Sequence, residues 1–65
     1  MRVIINQKPH DLPSLSMLSD ALNWIDAKPP YAVAVNLQFV PKTQYTNHAL
    51  QENDHIEVIA PVTGG

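Results

Sequence analysis

Between Leu15 and Ala27 the apolar residues Leu15, Leu18, Leu22 and Ile25 recur at steps of three, four and three, with Ala21 beside them. That spacing marks one face of a single helix. Pro29-Pro30 forbids its continuation, and on either side the chain turns to short β-branched runs. One amphipathic helix must bury its stripe, and the only partner this sequence offers is a sheet. Ser14 or Ser16 is placed to cap the helix, Asp20 suits its early turns, and Lys28 suits its end.

Val3, Ile4 and Ile5 predict a strand over about residues 2–6, and His10 to Leu12 a short return strand limited by Pro13. In "YAVAVNLQFV", Val33 and Val35 share one face, and Ala32, Ala34 and Asn36 share the other. Asn36 to Gln38 turns the chain, and Phe39-Val40 runs back until Pro41. The segment "KTQY" suits a single helical turn with Pro41 at its first position. "QENDH" reads as a tight turn capped by Asp54. "HIEVIA" then alternates, with Ile56 and Val58 inward and Glu57 outward, until Pro61 closes the ladder. The first and last strands are strongly apolar, as central neighbours should be. The order strand, strand, helix, then three strands predicts an α+β two-layer domain, a mixed sheet of four to five strands packed on one helix.

A chain of 65 residues is one small domain, of a size that buries only about 60% of its unfolded surface. Its apolar fraction of 45% is ample for a core. With no cysteine there are no disulfides, thiolate metal sites or cysteine nucleophile. A net charge of -2 provides no basic footprint for nucleic acid. "MRVIINQK" carries too short an apolar run for a signal peptide, and no stretch could span a membrane. The expectation is a soluble, cytoplasmic, monomeric domain over residues 1–61 with a flexible tail over 62–65. His10, His48 and His55 lack metal-ligand spacing, and Ser14, Ser16 and Ser19 lack a nucleophile-elbow context. Met17 and Trp24 lie off the helical stripe and read as packing at its margin.

Both glycines of the chain stand side by side as Gly64 and Gly65. Without Cβ atoms they let backbone approach a partner closely and thread a narrow channel. Extended at about 3.3 Å per residue, Val62 to Gly65 reach about 13 Å. Pro61 would stiffen the root of this tail and Thr63 would add a hydrogen-bonding handle, so the terminus reads as the working end.

"AVAVNLQFVPKTQY" and "ENDHIEVIAPVTGG" closely resemble the ThiS family of thiamine-biosynthesis sulfur carriers, which are ubiquitin-like β-grasp proteins. The likeness covers essentially the whole chain. One departure is Asn53-Asp54, where relatives usually carry Gly-Asp; Asn is the next-best residue for left-handed backbone. The helix N-terminus also matches less well. The resemblance implies a carrier rather than an enzyme, with no cofactor bound to itself. An E1-like adenylating enzyme (ThiF-like), using ATP and magnesium, would activate the carboxylate of Gly65. Sulfur from a donor such as a cysteine desulfurase would displace AMP and leave a thiocarboxylate on Gly65. A thiazole synthase (ThiG-like) would receive that sulfur. Gly64, Thr63 and Val62 would thread into the partners' active sites. On the sheet face turned from the helix, Ile4, Ala34 and Ile59, with Phe39, form a candidate docking surface. A molybdopterin-synthase sulfur carrier, a ubiquitin-like modifier and a non-catalytic β-grasp interaction domain are the alternatives. Deleting Gly65 separates the last of these from every carrier.

Overall fold

The computed structural model describes residues 1–60, and in it alternation along the strands decides where the core lies. Strand β1 is Arg2–Ile5, β2 is Lys8–Asp11, helix α1 is Leu18–Trp24, β3 is Ala32–Val35, β4 is Gln38–Val40 and β5 is His55–Ile59. A single 3-10 turn over Lys42–Gln44 follows β4. The sheet order is β2-β1-β5-β3-β4. β1 and β5 run parallel at the centre, and every other pairing is antiparallel. The first and last strands are neighbours, as their apolar character predicts.

Val3, Ile5, Val33, Val35 and Ile56 point to one face and are buried there with Leu18, Ala21 and Leu22 of α1. Val58 is half-buried against the same cluster, and Leu12, Val40, Tyr45 and Leu50 close its sides. The two edge strands are short or obstructed, β4 by its three residues and β2 by Lys8 and Pro9, which blunts edge-to-edge pairing.

The helix is shorter than its spacing predicts. Leu15 lies outside it, at φ 67° and 90% exposed. Neither Ser14 nor Ser16 caps it; Ser16 is buried and its Oγ donates to the Pro13 carbonyl at 2.6 Å. Met17 holds the N-cap position, and its N–H donates to the Asp20 carboxylate at 2.7 Å. The first helical N–H groups find carbonyls from a distant loop: Leu18 N–H donates to His48 O at 2.8 Å and Ser19 N–H to Tyr45 O at 2.9 Å. A tertiary contact thus satisfies donors that a serine would otherwise serve. The far end closes at Ile25, followed by Asp26 at φ 56°, and Lys28 pairs with Asp26 rather than with the helix.

Two smaller boundaries also move. The return strand is Lys8–Asp11 rather than 10–12, although Leu12 N–H still donates to Met1 O at 2.8 Å. Pro9 is tolerated because β2 is an edge. Pro41 is the cap of the 3-10 turn, one position before the first residue of the turn. Trp24 packs at the margin as expected, its Nε1 donating to His10 Nδ1 at 3.2 Å and joining α1 to β2.

Candidate docking face and the root of the carboxyl-terminal tail

The sheet face turned from α1 is built by the alternate residues of the same strands. Register sets Ala34 between Phe39 on β4 and Glu57 on β5. One step along, Ala32 stands opposite Ile59, and across the parallel pair Ile4 stands opposite His55. Phe39 is 69% exposed and Ile59 54%, while Ile4 and Ala34 are half-buried. The four residues expected outward are therefore brought to one face. Across β3, β4 and β5 the single carboxylate on that face is Glu57.

Three asparagines hold the ends of these strands in register. Asn36 Nδ2 donates to Asp54 Oδ1 at 3.0 Å, and Asn36 Oδ1 accepts the His55 N–H at 3.0 Å. Asp54 Oδ2 also accepts the Gln51 N–H at 2.8 Å, so this buried carboxylate caps the turn before β5 as its position suggests. Asn53 takes φ 69°, the left-handed backbone for which asparagine is suited. At the other end of β1, Asn6 Oδ1 accepts the Val58 N–H at 2.9 Å and carries the pairing beyond Ile5.

Beside the last residues of β5, Pro30, Tyr31, Ala32 and Ile59 line a shallow depression of ≈ 340 Å³. The Tyr31 ring stacks on Tyr45 with centroids 6.1 Å apart. Burial, and then the neighbouring Tyr31, push the Tyr45 hydroxyl above its usual pKa. From this point the chain passes into Pro61 and the tail. Pro61, Val62, Thr63, Gly64 and Gly65 lie outside the described residues, and with them the expectation that Pro61 closes the ladder and stiffens the tail. The boundary expected between a domain over 1–61 and a tail over 62–65 falls there too.

The sequence profile of the ThiS family matches residues 3–65. The chain belongs to the ThiS family. The match runs through Gly64 and Gly65. The crystal structure of a thiamine biosynthesis protein (ThiS) from Geobacter metallireducens is similar in fold, with a TM-score of 0.83 over 100% of both chains at 16% identity. No curated protein matches this chain in sequence. The β-grasp architecture of ThiS proteins is thus the fold found here, with five strands and one α-helix among the described residues.

One exposed apolar residue, at a hairpin tip, escapes the alternation argument. Leu37, at the tip of the β3–β4 hairpin, is 88% exposed and sits at φ 69°, after Asn36 at φ 51°. Two positive φ values in a two-residue hairpin loop call for Asn-Gly; Asn36 meets the first position and Leu37 departs from the second. Among the described residues no group of three or more His, Asp or Glu side chains could hold a metal ion. Nor is any helix there long and apolar enough to cross a membrane.

Proposed function

We propose that this protein is a sulfur carrier for formation of the thiamine thiazole ring and that Gly65 is its working residue. The observation that carries the reading is the ThiS-family match, which continues to Gly65. A free carboxylate is a poor electrophile. An E1-like enzyme using ATP and magnesium would convert the Gly65 carboxylate into an acyl adenylate, with pyrophosphate leaving. A persulfide charged by a donor such as a cysteine desulfurase would then attack the acyl carbon through its terminal sulfur and expel AMP. A second thiol would cleave the resulting acyl disulfide, forming a disulfide and releasing the thiocarboxylate. The Gly65 thiocarboxylate that results would give its sulfur to thiazole synthase. In this scheme the domain is a co-substrate, and bond-making groups belong to its partners.

What the domain supplies is presentation. β5 ends at Ile59 and six residues follow it, so an enzyme seated on Phe39, Ala34 and Ile59 could receive Gly65 within about 20 Å of the last strand. The direct test is ATP–pyrophosphate exchange catalysed by a ThiF-like enzyme. Exchange should depend on the wild-type chain and vanish with the Gly65 deletion. Exchange supported equally by the deletion would refute the assignment of Gly65.

A further inference from the structure

Val40, Val33 and Val58 form one row across β4, β3 and β5. β4 and β5 both run antiparallel to β3, so Lys42 and Ala60 each lie two residues beyond that row, at the same end of the sheet. With strands about 4.8 Å apart, two spacings put these places about 10 Å from each other. Two depressions bridge them. The one beside Ile59 is lined by Pro30, Tyr31 and Ala32. The next, of ≈ 280 Å³, is lined by Pro29, Pro30, Tyr31, Tyr45 and Lys42. They share Pro30 and Tyr31, and no carboxylate lines either. Among the described residues the one ion pair joins Lys28 to Asp26, so Lys42 ends this path as an exposed cation without an anionic partner there. Lys8 is as many strands from β5 on the other side, opposite Ile5 across β1.

We propose that the occupant of this path is the chain's own carboxyl-terminal segment, residues 61–65. It folds back over Pro30 and Tyr31, the Gly65 carboxylate pairs with Lys42 Nζ, and the contact restrains the terminus until the adenylating enzyme lifts it. This rests on the carrier reading above, in which Gly65 ends the chain as a free carboxylate. Length favours it: six residues follow Ile59 and reach about 20 Å, twice the gap. The chemistry matches in order along the segment. Pro61 and Val62 are apolar, like the lining at Pro30 and Tyr31. Gly64 and Gly65 carry no Cβ to hold the carboxylate away from the ammonium, and the terminal charge is opposite to that of Lys42. Because the pairing is intramolecular, even a weak surface ion pair populates it. A terminus held this way lowers the enzyme's apparent affinity in proportion to the fraction of chains in which it is free.

Gly64 and Gly65 are the only glycines of the chain, so isotope-labelled glycine reports on the terminus alone. In the full chain at low salt, nuclear Overhauser contacts should join the glycine α protons to the Tyr31 ring. Lys42→Gln should abolish them, as should 1 M salt, where the Debye length is about 3 Å. Lys8→Gln should leave them unchanged. Absence of the contacts in wild type, or their survival in Lys42→Gln, would overturn the pairing. An equal loss in Lys8→Gln would assign the effect to a diffuse field and overturn it as well. ATP–pyrophosphate exchange by a ThiF-like enzyme, at sub-saturating chain, should rise about twofold for Lys42→Gln. An unchanged or lower rate would overturn the restraint on activation. If neither wild type nor variant supports exchange, the carrier reading fails, while the glycine contacts still decide the pairing.

Discussion

A leucine at positive φ crowds its Cβ against backbone oxygen, at about 1–2 kcal/mol relative to the right-handed region. Seven non-glycine residues take positive φ among the described residues. Four of the seven are Asn or Asp, which tolerate that conformation; Leu15 and Leu37 do not. Leu15→Gly should therefore stabilise the domain by about 0.5–1 kcal/mol after the entropy of glycine is charged against it, read as a higher urea midpoint. At Tyr45 the consequence is a pH dependence. Burial raises the hydroxyl's pKa above 10.0 in the folded state, so the native state binds the proton more tightly than the unfolded one. That stability is fully present below the unfolded pKa and is lost as pH rises through the raised folded value. Tyr45→Phe should flatten the fall in stability at strongly alkaline pH. An equally steep fall in the variant would show that another group is responsible.

At the level of elements, the helix shows what spacing can and cannot convey. Leu18, Ala21 and Leu22 face the core as their positions predict, and Ile25 is half-buried beside them. Leu15 obeys the same arithmetic and lies in a turn, because a step of three residues does not distinguish a helical turn from the loop leading into it. The cap was equally hidden. Carbonyls of Tyr45 and His48 supply it from almost thirty residues away, and no local pattern encodes such a contact. The strands were more legible. Alternation in "YAVAVNLQFV" and "HIEVIA" placed Val33, Val35 and Ile56 inward, and Ala34 and Ile59 outward. Leu18, fully buried at 0% exposure, holds the helix to the sheet. Leu18→Ala should cost about 3 kcal/mol, measured by chemical denaturation. In a domain whose total stability is on the order of 3–10 kcal/mol, that loss should leave a substantial unfolded fraction. A cost below about 1 kcal/mol would mean that the sheet collapses onto the vacated volume.

The whole molecule joins a fold that was readable from pattern to a carboxyl terminus, Gly64-Gly65, that lies outside the described residues. A parallel β1–β5 pair at the centre ties residues near both ends of the chain together, so the body is closed before the tail begins. The candidate docking face follows from that topology, since β5 contributes both Glu57 and Ile59 and then continues into Pro61 and the two glycines. The central claim is that Gly65 carries sulfur destined for a thiazole. It is tested most directly by intact mass after incubation with ATP, magnesium, the adenylating enzyme and a sulfur source, followed by transfer to thiazole synthase. The account predicts a gain equal to exchange of one oxygen for sulfur, absent in the Gly65 deletion and discharged when thiazole is made. An unchanged mass, with the adenylating enzyme active on another carrier, would contradict it.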